Sequence, residues 1–198
     1  MNRQVKAPAQ PAEVWLFVSY SHKDDYWMQA LMPLLKFPGT RVKPWNDKEI
    51  RPGVRWDKEI KNALAKMDVY IPLVSVNFAV SHYIGTMECR IAKKRHDNDE
   101  IEVVPVLVGD PGKDECAWLM ALQRVPPGEK SWAEVLREFR EHDFALTPIR
   151  DGIKAVVERA RKRHKQGTRQ ELELCPETAR LKLGKSFALK PNTSHTLV

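Results

Sequence analysis

Two runs in this chain, Val69 to Val74 (VYIPLV) and Val103 to Val108 (VVPVLV), are apolar at almost every position instead of every second one. A strand that is half exposed alternates; a strand covered on both faces does not. Each run is therefore expected to lie inside a sheet with helices on both sides. Val14 to Tyr20 (VWLFVSY) reads as a first strand of the same kind, Arg41 to Trp45 as a short second, and Leu122 to Val125 as a short fifth. Helical spacing fills the intervals. Asp24 to Leu35 carries Trp27, Leu31 and Leu34 or Leu35, and Trp56 to Met67 carries Trp56, Ile60, Ala63, Leu64 and Met67 on one face. Ser131 to Glu141 and Ile149 to Lys165 follow as helices.

Alternating strands and helices with apolar strands predict an α/β fold. The expectation is a flavodoxin-like three-layer sandwich: a five-stranded parallel sheet in the order 2-1-3-4-5, with helices on both faces. Ligands of such sheets bind beyond the carboxyl ends of the strands, where the strand order reverses. Residues 1–12 are expected to be a disordered lead-in, 13–165 the domain, and 166–198 a packed extension, a linker or a tail.

The longest nearly apolar run, Val69 to Val80, is too short for a bilayer and is interrupted by Pro72, Ser75 and Asn77. The N-terminus lacks the apolar core of a secretory signal. Cys89, Cys116 and Cys175 show no metal-ligand spacing, which suits free thiols and a cytoplasmic location. Of the net charge of +7, much gathers at Arg159, Arg161, Lys162, Arg163 and Lys165. No aromatic residue interleaves there, so a solvated helix end is expected rather than a nucleic-acid contact.

Three strand ends should meet at the reversal point. The first delivers Ser19, Tyr20, Ser21 and His22, the second Trp45, Asn46 and Asp47, and the third Ser75 and Asn77. Ser81 stands where a helix cap would, and Ile84, Met87 and Ile91 then form an apolar stripe with Glu88 on its edge. No GxGxxG follows the first strand, and GxxxxGK[ST], HExxH and Cys/His clusters are missing, so neither a bound cofactor nor a metal is expected. Each residue has a plainer use. Asp47 suits a turn before Pro52-Gly53, Ser19 and Ser21 can satisfy backbone groups, and Trp45 and Trp56 can be anchors. One carboxylate without a metal can still support cleavage of an N-glycosidic bond to a cationic base. That leaving group needs no proton, and the oxocarbenium-like transition state is stabilised by nearby negative charge.

The chain resembles the Toll/interleukin-1 receptor (TIR) domain, especially its bacterial branch, over about Glu13 to Arg159. The resemblance rests on Phe17-Val18-Ser19-Tyr20-Ser21-His22-Lys23-Asp24 and on Trp45-Asn46-Asp47 with Glu49-Ile50-Arg51-Pro52-Gly53 and Trp56. It rests further on Ser75-Val76-Asn77-Phe78 with Ser81-His82-Tyr83 and Glu88, on Val104 to Val108, and on Trp118 with Leu122-Gln123. It implies NAD+ cleavage to nicotinamide and ADP-ribose or a cyclic ADP-ribose, with NAD+ as substrate. The implied catalytic residue is Glu88. The implied substrate-binding set is Ser19, Tyr20, Ser21, His22, Trp45, Asp47, Trp56, Tyr83 and Ile84. Enzymatic members often carry Trp four residues before the glutamate; here Ile84 stands there, with Tyr83 beside it.

The resemblance also implies self-assembly with other TIR domains through the BB loop, Asn46 to Gly53, and a role in antiphage defence or cell-death signalling. A sensor or regulatory partner would engage the C-terminal segment. The alternative it allows is a scaffold acting through TIR–TIR contacts alone, which has no need of Glu88. A phospho-accepting receiver would place Asp24-Asp25 as its acidic pair, but Ser75 stands where the acceptor aspartate would be required.

Overall fold

In a computed structural model of the protein, residues 13–112, 117–138 and 142–174 are described, with side chains of the last stretch from 146 to 166. The chain divides into two units between Arg161 and Lys162. The first unit holds the whole sheet; of the second, the described part is helical through Leu174.

Strands β1 (Val14–Ser19) and β3 (Val69–Val74) pair in parallel at the centre of the sheet, Leu16 opposite Val69 and Ser19 opposite Pro72. β2 (Val42–Trp45) lies parallel on the outer side of β1, with Phe17 opposite Trp45. β4 (Glu102–Val103) and β5 (Val106–Leu107) both pair with β3 in parallel. The expected fourth strand is thus two pieces. Pro105 has no N–H for the ladder, and the strand breaks there. The expected fifth strand shrinks to one residue. Val125 bridges Val106, donating to Pro105 O at 2.9 Å and accepting from Leu107 N at 2.8 Å.

Two cores follow from the twofold period of the strands. Leu16, Val18, Ile71 and Leu73 face one way, against α1 (Asp25–Leu31) and α6 (His142–Leu174), with Trp132 of α5 (Trp132–Glu138) in the same cluster. Phe17, Tyr70 and Val74 face the other way, with Ile60 and Leu64 of α2 (Trp56–Lys66) and Ala92 of α4 (Arg90–Asp97). Near-continuous apolar strands are the direct result. Where α6 crosses Val125, a Cβ on Gly152 would sit 2.3 Å from Val125 Cγ1. Overpacking costs about 1–3 kcal/mol and better helix propensity returns about 1. Gly152→Ala is therefore expected to lower the melting temperature by about 2–4 °C in a thermal scan.

The segment after β3 differs from its expected form. Ser75 caps a separate short helix, α3 (Val76–Ala79), its Oγ accepting from Phe78 N at 3.1 Å. Beyond Ser81 the helix opens into a π-helical turn, Ile84–Cys89, before α4. An i→i+5 turn holds one residue more than an α turn and so shifts the phase of the faces. The buried positions are Ile84, Gly85, Glu88, Cys89 and Ala92, while Met87 and Ile91 are only half-buried. Glu88 therefore points inward instead of along the edge of a stripe. Cys89 also departs from expectation: it is disulfide-bonded rather than a free thiol, because pairing depends on proximity in space and not on spacing in sequence. Cys116 and Cys175 lie outside the described residues.

Candidate functional site

Glu88 is 6% exposed and lies against the end of β1, where Ser19 Oγ donates a hydrogen bond to its Oε2. Burial raises its pKa to about 7; the Ser19 hydrogen bond opposes that rise, the charge of Asp47 adds to it, and His22 opposes it. Desolvation is the largest cause, as expected for a carboxyl facing apolar neighbours. Near neutral pH such a group is ionised in about half the molecules and is poised to accept hydrogen bonds or to stabilise positive charge. Beneath it Tyr70, fully buried in β3, has its own pKa raised by burial and then by the Glu88 charge.

The rim is built from two loops. The turn His22–Asp24 follows β1, and the turn Asp47–Glu49 follows β2, opened by Asn46 accepting from Lys48 N at 3.0 Å. His22 Nε2 is hydrogen-bonded to Asp47 Oδ2, and Lys48 pairs with Asp25. These two contacts hold the start of the Asn46 to Gly53 loop beside the cavity. The Pro52-Gly53 turn expected in that loop is present, with Gly53 at a φ of +85° that side chains disfavour. Tyr20 Oη and Asp47 Oδ1 are both buried, and the Tyr20 phenol lies against the Asp47 carboxyl. The Tyr20 phenol is held well above its ordinary pKa by burial and then by Asp47.

The floor of the β1 loop is fixed from below. Asp24, 5% exposed, accepts from Ser75 Oγ at 2.5 Å and from Asn77 Nδ2 at 2.8 Å. The end of β3 is thereby tied to the turn carrying His22.

One wall is aromatic. Trp56, at the start of α2, and Tyr83 lie with ring centroids 4.4 Å apart at 48°. Burial and the Glu88 charge push the Tyr83 pKa up to about 12. The resulting cavity of about 280 Å³ is lined by Ser19, Tyr20, Ser21, His22, Asp47, Trp56, Tyr83, Ile84 and Glu88. Of the residues implied for catalysis and substrate binding all except Trp45 are thus brought together, whereas Asn46, Ser75 and Asn77, also expected at the strand ends, do not line the cavity. Trp45 packs on Phe17 with centroids 4.9 Å apart and lines a separate groove with Trp15, Lys43 and Lys66. Lys23 and Ser81 also line the cavity, although the sequence pattern does not point to them, and Tyr70 lies behind it. A phenol inside an otherwise aliphatic strand is the one sequence signal for Tyr70.

A wet rim of hydroxyls and a carboxylate, an aromatic wall and a buried carboxyl floor suit a sugar joined to a flat base. Among the described residues no group of three or more His, Cys, Asp or Glu could hold a metal, and no helix is long and apolar enough to cross a membrane.

The chain is similar to known proteins and to a family profile. The uncharacterized protein y4lF of Sinorhizobium fredii (strain NBRC 101917 / NGR234) is 30% identical over 96 residues, which are 47% of this chain and 29% of that protein. The chain thus spans less than a third of that relative's length. The TIR domains of the activated Roq1 resistosome directly recognizing the pathogen effector XopQ are 21% identical, with a TM-score of 0.36, over 73% of this chain and 84% of that one. The sequence profile of the TIR domain matches residues 16–146, which hold every element lining the cavity. The chain belongs to the TIR-domain family.

Proposed function

We propose that this TIR domain cleaves the bond between nicotinamide and ribose in NAD+, releasing nicotinamide and leaving ADP-ribose or a cyclic ADP-ribose. The observation that carries this reading is the Glu88 carboxyl on the floor of a cavity of about 280 Å³, walled by Trp56 and Tyr83. That volume is at the small end for ligand sites and suits the nicotinamide and its ribose, with the rest of the dinucleotide over the rim. The Trp56–Tyr83 wall offers a flat face to the base, in place of the aromatic residue that Ile84 replaces. Tyr20 Oη and the Asp47 carboxyl, buried beside each other at the rim, offer a donor and an acceptor to ribose hydroxyls.

Chemically the step is simple. The C–N bond breaks with its electron pair leaving on nicotinamide, which becomes neutral. The ribose develops positive charge, and ionised Glu88 stabilises it. Water then adds at the vacated carbon and gives up a proton to solvent, or a nucleophilic nitrogen or oxygen of the same molecule closes the ring there with loss of its proton. Self-assembly through Asn46 to Gly53 belongs to the same proposal, since that loop abuts the cavity. So do a role in defence or death signalling and a partner for the C-terminal segment.

The test is nicotinamide release followed by chromatography, with purified protein at high concentration or under crowding. Glu88→Ala is expected to cut the rate by at least about 100-fold. A wild type that assembles visibly by light scattering yet leaves NAD+ intact would overturn the enzymatic reading and favour the scaffold.

A further inference from the structure

We propose that Ser19 is a positioning residue that locks one oxygen of Glu88, so that the other is presented to the cavity. The inference rests on the NAD+-cleaving reading and reassigns Ser19 from substrate contact. Ser19 is 2% exposed; its hydroxyl donates to Glu88 Oε2 and also lies within hydrogen-bonding reach of the Tyr70 phenol. The remaining oxygen, Oε1, meets no donor among the described residues, while Glu88 lines the cavity.

A glutamate carboxyl turns freely about its last torsion, which has broad, roughly twofold preferences. A charge-assisted hydrogen bond from a fixed donor removes that freedom. Ser19 is such a donor because it ends β1, opposite Pro72 of β3 and one layer from the π-helical turn. The donor is set by the sheet, and the acceptor by the helix. Other groups facing Glu88 are Tyr70 from β3, Tyr83 from its own helix, and His22 and Asp47 from the rim. Of these, Asp47 and His22 act on Glu88 in opposite senses. Among the described residues, Ser19 is the group that fixes a Glu88 oxygen.

The experiment has two readouts. One is the kinetics of nicotinamide release from pH 5 to 9 for wild type, Ser19→Ala and the isosteric pair Ser19→Thr and Ser19→Val. The other is the carboxyl ¹³C titration of Glu88, assigned by its loss in Glu88→Gln, which requires no turnover. Ser19→Ala and Ser19→Val are expected to lower kcat about 10- to 100-fold with KM within about twofold. The Glu88 midpoint should rise by about one pH unit, because the hydrogen bond favours the ionised form. Ser19→Thr keeps the hydroxyl and should stay near wild type in both readouts. A raised KM with unchanged kcat would return Ser19 to substrate binding. A Glu88 midpoint unmoved in Ser19→Ala and Ser19→Val would overturn the proposal even if the wild type cleaves NAD+. If the wild type cleaves nothing, the enzymatic reading falls, and the titration alone decides whether Ser19 holds Glu88.

Discussion

Glu88→Gln should make the protein more stable at pH 8, by about 3 kcal/mol, while abolishing the proposed cleavage of NAD+. The physical reason is the cost of ionising a carboxyl that is 6% exposed. Its pKa is raised from 4.5 to about 7, first by burial. Each unit of difference between folded and unfolded chains corresponds to about 1.4 kcal/mol. Because the folded-state value is the higher one, the folded protein binds the proton more tightly. The associated stability is fully present below pH 4.5, falls as pH rises, and is lost once the pH passes about 7. Glutamine carries no charge to desolvate and keeps an oxygen for the Ser19 hydroxyl. The variant's advantage should therefore be large at pH 8 and close by about 3 kcal/mol on going down to pH 4. Urea melts of both proteins at the two pH values measure this directly. An equal difference at both would show that Glu88 is not titrating in a buried setting. A functional carboxylate that costs stability is a common trade between activity and folding.

Asp24→Ala is expected to be the most damaging polar substitution, at about 2–4 kcal/mol. The carboxylate holds Ser75 Oγ at 2.5 Å and Asn77 Nδ2 at 2.8 Å from inside the protein. Hydrogen bonds to charged groups are worth about 1.5–3 kcal/mol each, and relief of the buried charge returns part of the sum. The proposed NAD+ cleavage should fall as well, because the same contacts brace the turn that carries His22. Asp24→Asn retains one acceptor and should lie between alanine and wild type. The urea midpoint at constant slope is the measure, and a shift below about 0.5 kcal/mol for Asp24→Ala would remove this role. Asp24 is thus spent on structure, whereas its neighbour Asp25 pairs with Lys48 at the surface.

How much is legible in the residues depends on what enforces them. β3 falls on Val69–Val74 as the pattern predicts, because a strand covered on both faces writes a continuous apolar run with polar bounds. The fourth strand reads as whole because Pro105 is apolar, and hydropathy does not register a missing N–H. The convergence of Ser19 to His22 with Asp47 follows from strand order alone. Trp45 does not join them although it shares a face with Asp47, because it sits two residues lower along the strand direction and packs on Phe17. It turns with Phe17 toward the α2 side, while the chain needs two more residues to bring Asp47 over the rim. The inward aim of Glu88 is hidden for a different reason. A stripe drawn through Ile84, Met87 and Ile91 puts Glu88 on its edge, whereas the packed face of the π-helical turn runs through Ile84, Gly85, Glu88, Cys89 and Ala92, of which Gly85, Cys89 and Ala92 are small residues that hydropathy does not single out.

That turn makes the helix a counting device. It holds a surplus residue between Ser81 and Arg90, and the surplus decides which side chain reaches the cavity. A relative one residue shorter in this segment would keep its helix, its apolar anchors and even its glutamate, yet aim that glutamate elsewhere. Length between these two points, rather than the mere presence of a carboxylate, separates a chain with a floor group from one that only carries the letter.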